Sequence, residues 1–399
     1  MAITVITEPT DLMPIHSPIM YLLSSTLSAE KNFKIVFEIG IFKDFGAGLV
    51  DVGTRKVKIS PRPDGMIEFD MSTHLRDYLD DINFQFASGG DSTFSAPFVQ
   101  YRTQLSEEYI NSVTNEVVIP SNDGTGNLSD YIATNIVLNR SEYLNYSPIF
   151  WRNGSSTLSN VLLNSKPNSS YYKDDVIWVH SVDIGSGYEF ELLEYTLAST
   201  ISHTLPVNFE SSCVFYKLDL STFSFNANTK SVGIRFLDGD GNITKELIFK
   251  LKDIECSSFD KYRFIYLDKL GSYNTISLNH ASNESLSITR ENFRNRLDPL
   301  TDLDSSRGLQ TYFTDAKETY TLNTGNLNAD DMAKFEDLLL STRVMLDVRS
   351  HPDSKFDGME YVPFMINTKS MKRYKSENQQ IAQYTIEGEL GYKLNVRTK

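Results

Sequence analysis

The chain has 399 residues, 40% of them hydrophobic, which predicts about two to four domains of ~100–200 residues with ample material for real cores. Its formal net charge of −14 argues against a phosphate-backbone ligand, whose binding rests on clustered Lys and Arg, so no nucleic acid partner is expected. Aromatics make up 12% of the chain, with 24 Phe and 21 Tyr, and flat rings that pack well on pleated surfaces predict a mainly β protein.

In chain order, the first strong strand is NFKIVFEIGIF, where Phe33, Ile35, Phe37, Ile39 and Ile41 share one face at period two. Val57 to Ser60 reads as a second strand, Pro61 to Gly65 as a turn and Met66 to Phe69 as a third strand. Asp70 or Ser72 then caps a short helix through Tyr78, because either side-chain oxygen accepts orphan amide hydrogens. FVQYRTQLSEEYI, 98 to 110, returns to strand and closes a β-sandwich. Residues 119 to 130 are turn-formers almost throughout and mark a boundary, while 151 to 171, rich in Asn, Ser and Gly, predict long surface loops.

Further strands are expected at 176 to 182, 188 to 197, 212 to 220, 262 to 268 and 274 to 280. FLDGDGNITKELIF, 236 to 249, spaces Asp238, Asp240 and Asn242 like the opening of a calcium loop. Ile243 stands where that loop needs glycine and Phe249 where it needs a bidentate glutamate. Apolar alternation on both sides makes this a hairpin, with Asp-Gly and Gly-Asn supplying the turn. Beyond the punctuating stretch NRLDPLTDLDSSRGLQ, ETYTLNTGNL is a strand and NADDMAKFEDLLLS the strongest helix. Asn328 caps that helix, Asp331 completes a capping box, and Met332, Phe335, Leu338 and Leu339 form its apolar stripe. RVMLDV, YVPFMIN and YTIEGELGY are its companion strands.

No motif carries catalytic or metal chemistry. His16, His74, His180, His203, His280 and His351 are scattered without zinc spacing, and Cys213 and Cys256 form no CxxC pair and read as buried thiols. GLVDVGTR, 48 to 55, has Thr54 where a phosphate loop needs lysine, and GTGN at 124 to 127 lacks the third glycine of a dinucleotide fingerprint. Glu107–Glu108 and Asp80–Asp81 are adjacent, and adjacent strand residues point to opposite faces, which separates them as acid–base pairs. KSMKRYK, 369 to 375, reads as a solvated strand end. The amino terminus carries acids and prolines in place of a secretory signal, and no 18-residue apolar stretch predicts a membrane span. The chain therefore reads as a soluble protein made in the cytoplasm.

The order of segments carries a resemblance. SPIMYLLSS, NFKIVFEIGIF, KISPRPDGMIEFDMSTHLRDYL and VQYRTQLSEEY in the first third, YRFIYLDKLGSYNTISLNH later, and the closing stretches from YTLNTGNLNADDMAKFEDLLLSTRVMLDV to YTIEGELGY resemble structural virion proteins of tailed phages that infect Bacteroidota. The resemblance covers about 14 to 110 and 205 to 394; Ser106 stands where that family often has glycine, and 111 to 175 matches little. It implies a non-enzymatic tail hub, baseplate or neck component that forms homo-oligomeric rings with other virion structural proteins, in the virion. An alternative is a receptor-recognition module that binds host-surface glycan, with SSYYKDD, 169 to 175, and Trp151 or Trp178 stacking on sugars. The expected fold is mainly β, with several β-sandwich-like modules in series and a small α+β C-terminal unit. Residues 1–118 form an N-terminal β domain, 119–205 a loop-rich β segment or insertion, 206–297 a β-sandwich-like domain and 298–399 the closing α+β unit. Catalytic, cofactor-binding and metal residues are expected to be none.

Overall fold

The computed structural model describes residues 3–9, 12–44, 49–79, 92–95, 98–119, 127–134, 161–163, 168–182, 189–196, 199–205, 213–237, 246–252, 260–269, 271–294, 309–349, 361–371 and 383–391. Among the described residues the protein is mainly β, built from several sheets with two short α-helices, as its aromatic content and alternation predict. Two compact units divide the chain. The first comprises Met1–Pro167, Val176–Lys250 and Asp268–Tyr273, and the second Asn168–Asp175, Leu251–Leu267 and Asn274–Lys399.

In the first unit, β1 (Ile3–Thr7), β3 (Met20–Ser25) and β6 (Met66–Asp70) form one sheet in the order β1-β3-β6. A second sheet runs β2-β10-β8-β4-β5, from β2 (Leu12–Pro14), β4 (Lys31–Asp44), β5 (Leu49–Ile59), β8 (Phe98–Ile110) and β10 (Asn127–Thr134), with β9 (Val117–Val118) added on β8. Neighbours are antiparallel except β2, which lies parallel to β10. The alternating Phe33, Ile35, Phe37, Ile39 and Ile41 of β4 are all buried. They meet Tyr21, Leu23, Ile67 and Phe69 in one core, so the two sheets close face to face as a sandwich. The Phe37 ring lies 4.3 Å from Phe69 and 5.7 Å edge-on from Tyr21. Polar groups inside are matched: Tyr21 Oη and Thr103 Oγ1 are 3.3 Å apart, and Ser25 Oγ donates to buried Glu107 at 2.6 Å. Glu108, one residue on, points the other way and pairs with Lys58 at 2.6 Å.

The short helix α1 (Ser72–Leu75) continues as a 3-10 turn through Tyr78. Its N-cap is Met71, without a side-chain cap, and not Asp70 or Ser72 as expected; Asp70 Oδ1 accepts from the Ser72 and Ile19 amides at 2.9 Å each, because the chain turns one residue before the helix. The stretch 119 to 130 is not turn throughout, because Asn127–Asp130 open β10 and pair with Arg102 to Gln104. Ladder hydrogen bonds there outweigh weak local propensity. Residues 120–126 lie outside the described residues.

The rest of this unit carries β7 (Ser92–Ser95), β11 (Val161–Leu163), β13 (Val176–Val182) and β16 (Cys213–Asp219) in the order β11-β13-β16-β7. Beside it run β14 (Glu189–Tyr195), β15 (Thr200–Leu205), β17 (Ser231–Leu237) and β18 (Leu247–Lys252), ordered β18-β17-β14-β15. Phe190 and Tyr216, ring centroids 4.2 Å apart, bridge the two sheets. The hairpin predicted around the Asp-Gly-rich turn is β17 with β18, Val232 opposite Phe249 and Ile234 opposite Leu247. The turn itself, with Asp238, Asp240 and Asn242, lies outside the described residues. So do Trp151 and residues 80–91, while 161–163, expected as loop, pair with β13.

The second unit is α+β. Its sheet runs β20-β19-β23-β24-β25-β22-β21, from β19 (Tyr262–Leu267), β20 (Tyr273–Leu278), β21 (Asn283–Arg294), β22 (Leu309–Asn323), β23 (Val344–Asp347), β24 (Tyr361–Ile366) and β25 (Thr385–Leu390). Helix α2 (Ala329–Leu340) shares the sheet's core through Phe335 and Leu338, and Phe335 stacks on Tyr384 at 5.4 Å. Asn328 caps it, its Oδ1 accepting from the Asp331 amide at 2.9 Å. Strand β21 is not predicted by the sequence reading, which stops at His280 and resumes at Glu318. It pairs with β22 from Asn283 opposite Thr321 to Arg294 opposite Leu309. On its other side β22 meets β25 only over Thr319–Asn323, so among the described residues the hairpin beyond Glu318 is a two-stranded ribbon.

Gly388 of β25 lies opposite both Tyr320 and Ile366, with the Phe364 ring covering it. A Cβ there would overlap that ring and stand 2.7 Å from the Met365 carbonyl oxygen. Gly388→Ala is therefore expected to destabilise by about 1–3 kcal/mol, read from the urea midpoint, with Phe364→Leu in the same chain recovering part of the loss.

Candidate functional site

The densest polar chemistry in the second unit is a buried charge cluster. Arg263 on β19 is 9% exposed. Its Nε donates to Asp175 at 3.2 Å, its Nη1 to Asp347 at 3.2 Å and its Nη2 to the Asp174 carbonyl at 2.6 Å. Asp175 also accepts from Ser277 at 2.5 Å and pairs with Lys261 at 2.9 Å, while Asp347 pairs with Arg349 at 2.6 Å. Burial pushes the Asp175 carboxyl up, but Lys261 and Arg263 outweigh it and hold the group below the usual carboxylate range. Burial likewise opposes ionisation of Asp347, where Arg349 and Arg263 prevail and lower it. The Asp175 and Asp347 carboxylates are thereby kept charged and matched by the two guanidinium groups and Lys261.

Beside this cluster lies a cavity of about 200 Å³ lined by Ser170, Asp175, Lys252, His280, Asp331 and Lys334, among others. Lys334 comes from the face of α2 that also buries Asp331, Phe335 and Leu338. Its ammonium donates to the Ser170 carbonyl at 3.2 Å and lies 3.3 Å from the centroid of the buried Tyr171 ring. Asp331, whose role in the helix start extends outward, accepts from the Ser170 amide at 2.7 Å and from Lys252 at 2.8 Å. Burial lowers the Lys334 ammonium to about 7, with Asp175 and Asp331 pulling the other way. Ser170–Tyr172 (β12) is thus gripped on its backbone by one acid and one base from a single helix turn. Asp331 and Lys334 hold this segment in place.

The residues singled out in the sequence do not converge. Trp178 is fully buried and lies 5.9 Å from the Tyr273 ring, and Tyr171 is also buried and donates to Asn274 at 2.6 Å. Neither offers a stacking face for sugar. His74 packs 5.3 Å from the Phe69 ring, and burial, then Arg55, lowers its pKa. His203 lies 3.4 Å from Glu194 on neighbouring strands, and the His180 side chain lies outside the description. Among the described residues no group of three or more His, Cys, Asp or Glu side chains is placed to hold a metal ion, and no helix is long and apolar enough to cross a membrane. The GLVDVGTR segment enters β5, antiparallel to β4.

What the sequence reading misses is surface. Residues Asn283 to Asn292 of β21 are exposed without interruption, including Leu286 at 55% and Ile288 at 46%. Both stand in alternation with Glu284, which lies opposite the fully buried Tyr320, so they continue the core-facing side of the sheet beyond its cover. The Ser-Leu-Ser-Ile alternation is the signal that could have revealed this strand.

No family model matches the chain, and no curated protein matches it. Among solved structures it is similar to the full extracellular region of plexin A4, at 10% identity and a TM-score of 0.19, over 98% of this chain and 39% of that one. A likeness of that degree carries no argument for fold or function.

Two outcomes follow from the cluster. Arg263→Leu leaves Asp175 and Asp347 buried with one cation fewer and is expected to cost about 3–5 kcal/mol in chemical unfolding. Lys334 binds its proton more weakly folded than unfolded, so between pH about 7 and the ordinary lysine range the unfolded chain holds more protons and stability rises with pH. Stability measured across pH 7–10 should therefore climb, approaching about 1 kcal/mol per pH unit, and Lys334→Met should remove most of that climb.

Proposed function

We propose that this chain is a non-enzymatic structural component of a phage virion, at the tail hub, baseplate or neck ring, assembling through protein–protein contacts with copies of itself and with other virion structural proteins. The exposed β21/β22 ribbon is the observation that carries the assembly part of this reading. An isolated two-stranded ribbon is marginal in water, and this one displays apolar side chains and, among the described residues, an edge with no strand paired to it. Such a surface gains stability when another chain covers it. The phage part rests on the order of sequence segments that resembles virion proteins of Bacteroidota phages. The buried charges are consistent with a scaffold, since Asp331 and Lys334 hold Ser170 and Arg263 holds Asp174 and Asp175. A glycan-binding role draws no support from Trp178 or Tyr171, both of which are buried.

Purified virions probed with an antibody against this chain, together with peptide analysis of intact particles, test the proposal. Label at the tail or neck, with peptides of the chain present, is the expected result. Particles that carry neither would sink it.

A further inference from the structure

We infer that the open edge of β21 pairs antiparallel with the same edge of a second copy of this chain, in the register that sets Glu284 opposite Arg290 and Leu286 opposite Ile288. The inference deepens the assembly reading and rests on its claim of self-association, though not on a place in the virion.

The sequence of the strand's core-continuous face carries the argument. Successive residues on that face are Glu284, Leu286, Ile288 and Arg290, because strand side chains alternate and the β21–β22 register is unbroken until Glu291. Read along the strand, the face is acidic, apolar, apolar, basic. Reversed, it is basic, apolar, apolar, acidic. Two copies related by a two-fold axis perpendicular to the sheet therefore match charge to opposite charge and apolar to apolar at all four positions. Only registers that shift by an even number of residues keep like faces together. Shifting the second copy so that Ile288 meets Ile288 sets Leu286 against Arg290, and the opposite shift sets Glu284 against Ile288. The other face is tolerant, with Ser285 opposite Thr289 and Ser287 opposite its own counterpart.

The edge is also unguarded. Natural sheets blunt exposed edges with Pro, Lys, bulges or short strands. Between Glu284 and Arg290 there is no Pro, no Lys and no bulge, in a strand of 12 residues. Among the described residues no strand pairs with the outer side of β21. Glu284 accepts from Tyr262 at 2.7 Å through Oε1, which orients its carboxylate on that face. Pairing of this kind is isologous, so it joins subunits two by two, and a ring that uses it is doubled or built of dimers.

The register makes a prediction that a generic sticky surface does not. Ser287 faces Ser287 of the second copy, and opposed residues in antiparallel strands lie about 4.5–5.5 Å apart at Cα, within disulfide reach of ~4.4–6.8 Å. In the full-length chain, Ser287→Cys under mild oxidation should give a covalent dimer whose linked peptide maps to position 287 on both sides. Thr289→Cys alone should give none, whereas Ser285→Cys with Thr289→Cys should link. In sedimentation velocity, Arg290→Glu should weaken self-association about tenfold, and the exchange Glu284→Arg with Arg290→Glu should restore it, with circular dichroism confirming that each variant folds. A chain that stays monomeric at all concentrations overturns the inference. Oligomers that form without the 287–287 link overturn this edge and register, while leaving assembly through other surfaces intact.

Discussion

A guanidinium that is buried must be surrounded by carboxylates, and in the second unit that requirement determines which segments can meet. Arg263 draws on Asp174 and Asp175 from one stretch and Asp347 from another, 88 and 84 residues away from it in opposite directions. Apolar packing tolerates a strand slipped by two residues, since Val, Ile and Leu exchange with modest loss. A buried charge does not, because a slip strands an ion without its partner. The cluster thus contributes selectivity of arrangement more than net stability. Lys334 and Asp331 repeat the device one layer away, clasping the carbonyl and amide of the same Ser170.

Around this anchor the sheets follow from alternation. The five inward residues of β4 and the facing rings of Tyr21 and Phe69 are legible because period two is written in apolar letters. Helix α2 is legible for a similar reason, through Asn328 and the pair Phe335 and Leu338. Its buried face nevertheless includes Asp331 and Lys334, which a hydrophobic stripe cannot reveal because their burial depends on partners brought from position 170. Strand β10 begins inside a run of turn-formers, since pairing with β8 and not local propensity determines it. The surface of β21 is the least legible part. A strand exposed on both faces mixes polar and apolar residues in a pattern close to that of a loop, and only its register against β22 distinguishes it.

The contrast between the interior and the ribbon describes a division of labour within one sheet. Near β24 and β25 the core face is closed by Phe364 over Gly388 and by α2. Toward β21 the same face emerges from cover and keeps its apolar character for two more residues before ending in Arg290. A sheet that extends a core face into solvent is energetically costly for a lone molecule. The self-association proposed above would cover it.

The segment 168–175 belongs to the second unit although it precedes most of that unit in the chain. On a ribosome it emerges long before its partners. Arg263 follows Asp175 by 88 residues and Asp347 comes 84 later still. At ~5–20 residues per second that interval is on the order of ten to thirty seconds. Until Arg263 is made, the segment has its own turn, in which the Tyr172 amide donates to Asp175 at 2.8 Å. Its polarity keeps such a stretch soluble during the wait, and the same charges later admit it to a single place. A tie made of ions suits that order of synthesis, because charged side chains stay hydrated until their partners arrive.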